Sequence, residues 1–390
     1  MATVWKAGLE DVVAARSAIA AIDGAQGRLY YRGYEIGDLA ARVPFEAVTY
    51  LLWFGELPES DEAAGFSARL GEGWALSPPV RGLLERTPRE GHPLDVLRTA
   101  VSFAALLDAD ARSVEMAANT RQCMRLMSLV PAVVGAWHRQ RSGRPPLPPR
   151  PDLSHAAHAL YALTGEVPTP EVTRVMDAIL TLHADHEFNA STFALRVAVA
   201  TLADVHAAIV AAIATLKGPR HGGANEDVLA MLREIGDPAR ARSFIEARLT
   251  AREGLSKGER GDPKSRVPGF GHRVYRVDDA RARVLRGMAR TVADATGRTR
   301  LFEVAERVYE TVTSRTGLPV NVDFFSAVVY DALEIPPDLC TSIFAIGRVA
   351  GWCAHALEQY ADNRLIRPRA DYTGVAPRTL LEPQASLAVR

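Results

Sequence analysis

Four short polar segments carry residue types that could do chemistry. In His183-Ala184-Asp185-His186-Glu187 two histidines three apart fall on or beside the apolar stripe of a helix, so both point inward. One inward histidine is more often a satisfied core residue, but two beside two acids favour a site. Histidines at that spacing can share a metal ion. The order H-x-x-H-E is not the H-E-x-x-H of zinc peptidases and no third ligand follows, so no metal is expected. In Gly218-Pro-Arg-His221-Gly-Gly-Ala-Asn-Glu226 a histidine stands at a break between helices, just before the next N-terminus. The helix dipole disfavours imidazolium there, leaving a neutral His221 able to donate a hydrogen bond. A plain glycine-rich break would not require His, and a phosphate loop would need a preceding strand and a G-K-[ST] ending.

Gly269-Phe-Gly-His272-Arg-Val-Tyr275 follows a basic stretch containing Lys257, Arg260, Lys264 and Arg266. Such cations are either plainly solvated or, beside a site, contacts for a phosphorylated ligand. Asp278 or Asp279 can cap the helix that follows. In Asn321-Val-Asp323-Phe-Phe-Ser326, Asp323 is either an N-cap or a functional carboxylate. Arg348 lies in the apolar run 343–356 and demands an anion, either an internal acid or a ligand carboxylate.

The elements that must position these groups read as helices. Met116, Thr120, Cys123, Met127, Val130, Val134 and Trp137 mark one face of a long helix, and 45–54 is a short one stopped by Gly55. Further helices are predicted over 171–187, from the Asp204 cap to Lys217, after Gly222-Gly223, and over 238–252, 279–296, 300–316, 322–333 and 337–361. The apolar stretch 197–216 contains Asp204 and His206, which favours a buried helix over a membrane span. Residues 17–33 read as a hairpin with Asp23-Gly24 in the turn. The fold class is therefore all-α with a small N-terminal β-hairpin. A Gly-, Pro- and Lys/Arg-dense loop at 254–271 and the return to apolar helix after 335–337 suggest a small domain inserted in a larger one, with a cleft between. Arg144 to Pro151 (RPPLPPRP) reads as a stiff surface loop.

An apolar content of 48% with no net charge excludes a disordered chain, and 46 basic against 46 acidic residues leave no global field for nucleic acid or anionic membrane. Three cysteines without a C-x-x-C fit a reducing compartment. No secretory signal is visible at the N-terminus, so a cytoplasmic location is expected.

Together the segments resemble citrate synthase. LHADHEFNASTFALRV, LKGPRHGGANEDVLAML, PGFGHRVY, NVDFFSAVVYDAL, FAIGRVAGWCAHALEQ and RLIRPRADYTG occur in that family's order and spacing, and the opening GLEDVVAARSAIAAIDGAQGRLYYRGYEIGDLA is similar to its start. The resemblance implies a two-domain helical fold: a large, dimerising domain of 1–221 with 335–390, and a small one of 222–334. It implies an acyltransferase of the tricarboxylic acid cycle that joins acetyl-CoA to oxaloacetate and hydrolyses the citryl thioester. By motif match His221 resembles the residue that polarises the thioester and stabilises its enol, Asp323 the general base, and His272 the donor to the oxaloacetate ketone. His186, Arg281, Arg348 and Arg367 match the positions that hold the two carboxylates. Arg367 comes from the neighbouring subunit in family members, and Arg369 is its alternative in the alignment. The resemblance places CoA contacts in the basic loop of Lys257, Arg260, Lys264 and Arg266. CoA is a co-substrate, with no tightly bound cofactor and no metal. A plain homodimer is expected, because the start lacks the extra segment of the NADH-inhibited hexameric branch.

The nearest rival is 2-methylcitrate synthase, with propionyl-CoA as donor. One methyl group is worth only about 1–3 kcal/mol of discrimination. A metal-dependent hydrolase using His183, His186 and His221, or a non-catalytic paralogue that binds CoA or a protein, are the other readings.

Overall fold

Side-chain caps and chain breakers delimit most helices of the structure, a computed structural model that describes residues 5–10, 12–219, 221–222, 224–255 and 266–379. Three antiparallel strands come first, β1 (Ala20–Asp23), β2 (Arg28–Tyr31) and β3 (Tyr34–Glu35). Next are α1 (Ile36–Arg42), α2 (Phe45–Phe54), α3 (Ser60–Glu72), α4 (Pro78–Glu85) and α5 (Pro93–Ala105). The middle of the chain forms α6 (Met116–Arg141), α7 (His155–Thr164), α8 (Pro170–Ala184), α9 (Ala190–Ala200) and α10 (Val205–Leu216). There follow α11 (Ala224–Ile235), α12 (Pro238–Glu253), α13 (Ala280–Thr296), α14 (Thr299–Thr316) and α15 (Val322–Ala332), and finally α16 (Cys340–Ala361). The fold is all-α with one small sheet. Thr169, Asn189, Asp204, Asp279 and Asn321 each accept a first-turn N–H as N-caps.

Residues 17–365 form one compact unit, and the described parts of 1–16 and 366–390 form another. At the centre of the first lies α16, buried at every position from Cys340 to Leu357. A helix apolar on all sides belongs in the interior, and α16 packs on α2, α6, α8, α9 and α10. Its approach to α8 is close enough to leave no room for side chains. A Cβ on Gly347 would stand 2.7 Å from the Leu180 carbonyl oxygen, and one on Gly351 would stand 2.1 Å from that of Ala184. Helices α11 to α15 pack largely on one another, through α13 on α15, α12 on α14 and α11 on α15.

Three local expectations are corrected. The hairpin turn is longer than Asp23-Gly24, because the strands are paired only as far as Asp23 and Arg28. Asp23 Oδ1 accepts the N–H groups of Ala25 and Gln26, which stabilises the wider loop. The 197–216 stretch is two helices, broken after Ala200 where Leu202 takes φ 64°. No helix of the described residues is long and apolar enough to cross a membrane. The helix predicted over 171–187 ends at Ala184, since Asp185 is extended (φ −146°, ψ 160°). His183 is therefore on the helix and His186 on the turn beyond it.

Candidate active site

The site is built where the end of α8, the start of α9, the α10–α11 turn, the segment before α13, the start of α15 and the middle of α16 meet. His221 sits on a turn that folds back on α10, its N–H donating to the Gly218 carbonyl at 2.8 Å. The same turn is held by Thr341, whose hydroxyl donates to the Gly222 carbonyl at 2.8 Å. The ring of His221 is fixed from α9. Its Nε2 accepts the Ser191 N–H at 3.3 Å and lies 2.8 Å from the Ser191 hydroxyl, which the Trp352 indole N–H also approaches at 3.2 Å. A backbone N–H can only donate, so Nε2 carries the lone pair and the proton of the neutral ring sits on Nδ1. Nδ1 meets no other described residue, only the backbone of His221 itself. Burial, aided by the Arg348 charge, pushes the His221 pKa down to about 4. It is a neutral donor at pH 7.

His272 is oriented by its own segment. Its Nδ1 accepts the N–H groups of Val274 (2.9 Å) and Tyr275 (3.1 Å), so its proton sits on Nε2. Burial and then the nearby Arg281 push its pKa down to about 4, giving a second neutral donor. Its ring lies 5.4 Å from that of His186, whose Nε2 is 3.4 Å from the Tyr275 hydroxyl. His186 is likewise held well below its usual range by burial, Arg281, His272, Arg348 and His221. His183 is spent on structure: its Nδ1–H donates to the Ile179 carbonyl at 2.7 Å and its ring meets Phe344 edge-on at 4.6 Å.

Asp323 is not the N-cap. Asn321 takes that role, accepting the Asp323 N–H at 3.1 Å, and the Asp323 carboxylate is left without a hydrogen-bond partner among the described residues. Its backbone carbonyl accepts from Asn225 Nδ2 at 3.2 Å, tying α15 to α11. Burial raises its pKa to about 6 against the pull of Arg281. A carboxylate so poised is half-prepared to take a proton.

The two arginines differ. Arg281 is buried and bound bidentate by Asp279, Nε to Oδ1 at 3.0 Å and Nη2 to Oδ2 at 2.6 Å. Burial pulls its pKa down, and Asp279 more than offsets this. Arg348 is 1% exposed, gives Nε–H to the His183 carbonyl at 2.5 Å, and has no acid within ion-pair distance among the described residues. Burial lowers its pKa to about 10, so it stays charged. Its charge acts on His183, His186, His221 and Asp323, and that of Arg281 acts on His186, His272 and Asp323. The predicted residues His186, His221, His272, Arg281, Asp323 and Arg348 thus converge around two buried guanidinium groups.

Of the remaining predicted residues, Arg266 is exposed, and Lys257, Arg260 and Lys264 lie outside the described residues. Arg367 is exposed and belongs to the second unit. His183, His186 and His221 do not form a metal-competent cluster. The cluster that the described residues contain is His186, His272 and Asp279, with donor atoms within 4.8 Å of one another. The two N–H groups on His272 Nδ1 put a proton on Nε2, so that atom offers a metal no lone pair.

Several contributors were not legible. Ser191 and Trp352 orient His221 from positions far along the chain, and Asp279 was read only as a cap. Asp185 and His355 form a buried contact of 3.1 Å between the end of α8 and α16 that no spacing rule connects.

Such a site has two neutral imidazole donors, a carboxylate near pKa 6 and a buried cation awaiting an anion. It suits proton removal beside a carbonyl, with oxygen charge received by hydrogen bonds. Known proteins agree with that chemistry. The family profile described as citrate synthase, C-terminal domain, matches residues 8–369. "Citrate synthase 2" of Bacillus subtilis is 45% identical over 94% of this chain and 95% of its own. "2-methylcitrate synthase" of Shewanella oneidensis is 36% identical over 96% of both chains. Citrate synthase from Thermoplasma acidophilum, solved in a ternary complex with carboxymethyl coenzyme A and oxaloacetate, superposes with a TM-score of 0.84 at 32% identity, covering 96% of this chain and 97% of that one. The chain belongs to the citrate synthase family and is an acyltransferase.

Proposed function

We propose that the protein condenses acetyl-CoA with oxaloacetate and hydrolyses the resulting citryl-CoA to citrate and CoA. The observation that carries this reading is a buried Arg348 with no acid partner, surrounded by two neutral histidine donors and a carboxylate of raised pKa. Asp323 takes a proton from the thioester methyl group while the Nδ1–H of His221 stabilises the charge on the thioester oxygen. The enol carbon then bonds to the ketone carbon of oxaloacetate, and the Nε2–H of His272 supports the oxygen that becomes the hydroxyl. Water cleaves the thioester and the thiol leaves. Arg348, with His186 and Arg281, holds the carboxylates and so aims the ketone at the enol.

Arg367 of a second copy completes the dianion site in a homodimer, with Arg369 as its alternative. The 222–334 segment acts as a small domain that closes on 1–221 and 335–390 once oxaloacetate is bound, excluding water from the enol. Lys257, Arg260, Lys264 and Arg266 contact the phosphates of CoA, which is a co-substrate; no group is held permanently. The protein works in the cytoplasm.

Thiol release on mixing the protein with oxaloacetate and acetyl-CoA tests this, with propionyl-CoA in a parallel series. Robust release with acetyl-CoA is expected. Absence of release with either donor overturns the function, and a higher kcat/KM for propionyl-CoA replaces it with 2-methylcitrate synthesis, the reading supported by a relative at lower identity (36% against 45%).

A further inference from the structure

Behind His186 and Arg348 lies a buried polar chain that the proposed chemistry does not use. Asp185 is fully buried on the turn after α8, and both its carboxylate oxygens are engaged. Oδ1 faces His355 Nε2 at 3.1 Å, and Oδ2 accepts the Glu187 N–H at 2.9 Å. The Tyr31 hydroxyl accepts the Asp185 N–H at 2.9 Å and lies 2.8 Å from the Asp185 carbonyl oxygen. His186 is the residue between these anchors. On its other side, His355 Nδ1 accepts from Arg196 Nη1 at 2.9 Å, so the ring is neutral and its proton sits on Nε2, facing Asp185. Arg196 is itself held by Gln359 (2.9 Å) and Glu358 (2.6 Å). Asp185 is also the acid that acts most on Arg348. Only glycine at 351 lets α16 lie on this turn, since a Cβ there would stand 2.7 Å from Asp185 Oδ1.

We infer that Asp185 and His355, backed by Arg196 and Tyr31, are positioning residues for oxaloacetate. They hold the turn that presents His186 and that follows the His183 carbonyl receiving Arg348, so that both are in place before the dianion arrives. This rests on the functional reading above.

The test compares the wild type with His355→Leu, His355→Gln and Tyr31→Phe by thiol release, and measures oxaloacetate binding by tryptophan fluorescence. His355→Leu should raise KM for oxaloacetate by about 10–100-fold, as when an outer partner that orients a binding group is lost. KM for acetyl-CoA at saturating oxaloacetate should stay within about 2-fold, because the chain touches only the dianion side. His355→Gln keeps an N–H donor for Asp185 and should recover most of the loss. Tyr31→Phe, the smallest change, should raise KM for oxaloacetate several-fold and serves in place of His355→Leu if that variant does not fold. Equal changes in both KM values, a Gln variant no better than Leu, or variants matching an active wild type overturn the inference alone. A wild type that neither binds oxaloacetate nor releases thiol overturns the functional reading and the inference with it.

Discussion

His272 and Arg348 face the same site, yet they are held by opposite means. The His272 ring is oriented within three residues of itself, by the N–H groups of Val274 and Tyr275, and Arg281 is held two residues from its acid at Asp279. Arg348 is placed by a helix crossing that joins positions 165 apart, through the His183 carbonyl and the glycines at 347 and 351. The locally held segment brings its own charge balance. The crossing instead buries a cation whose partner must come from outside. The difference separates site residues that the fold has already oriented and balanced from one whose charge waits for substrate, and it can be probed at both ends.

The largest effect belongs to the carboxylate that both regions act upon. Asp323→Asn should lower kcat by at least about 10²-fold, the usual loss when a general base is removed. In the wild type kcat/KM should fall as pH drops through about 6, where Asp323 becomes protonated. Arg281 and Arg348 both hold that value down, so removing Arg348 should move the acid limb to higher pH. A pH–rate profile of wild type and Arg348→Leu checks both statements, and an unmoved limb would assign the ionisation elsewhere.

The two arginines sharpen the contrast next. Arg281→Leu leaves Asp279 as a buried, unpaired carboxylate and should cost about 3–5 kcal/mol of stability, read from urea unfolding. Arg348→Leu removes a buried cation with no acid within ion-pair distance, so it should cost less stability than Arg281→Leu while KM for oxaloacetate increases by at least about 10²-fold. Equal destabilisation by both substitutions would mean that Arg348 is structural. Gly351→Ala attacks the crossing itself. Its methyl group would enter the space of the Ala184 carbonyl, and about 1–3 kcal/mol of lost stability is expected by thermal melting. The smallest change is Asn321→Ala, which removes the cap of α15 for about 1 kcal/mol and should leave KM for both substrates near wild type.

Local signals in the sequence were read well. The Asp204 cap, the Gly55 stop and the limits of α12 to α15 agree with expectation to within a residue or two, because caps and breakers act over one helical turn. The same reach explains the misreadings. The helix through His183 and His186 was extended too far because its end is set by the Tyr31 hydroxyl, 154 residues from Asp185, and by the pull of His355 on the Asp185 side chain. Apolar character alone runs 197–216 together, and only the Asp204 cap marks where its second helix begins. Asp323 was an acceptable cap by type, and only the structure gives that role to Asn321 and leaves the carboxylate unpartnered.

By itself the sequence determined the helical class, most helix ends and the set of side chains able to remove a proton beside a carbonyl. It could do so because propensity, capping and side-chain chemistry are properties of a residue and its near neighbours. Tertiary structure decided which of those side chains remain available for substrate. Asp279 takes Nε and Nη2 of Arg281, Ser191 takes one nitrogen of His221, and burial with no acid in ion-pair distance leaves Arg348 open. Ionisation and hydrogen-bond direction depend on what surrounds a group in space, and that is set only when distant segments pack together.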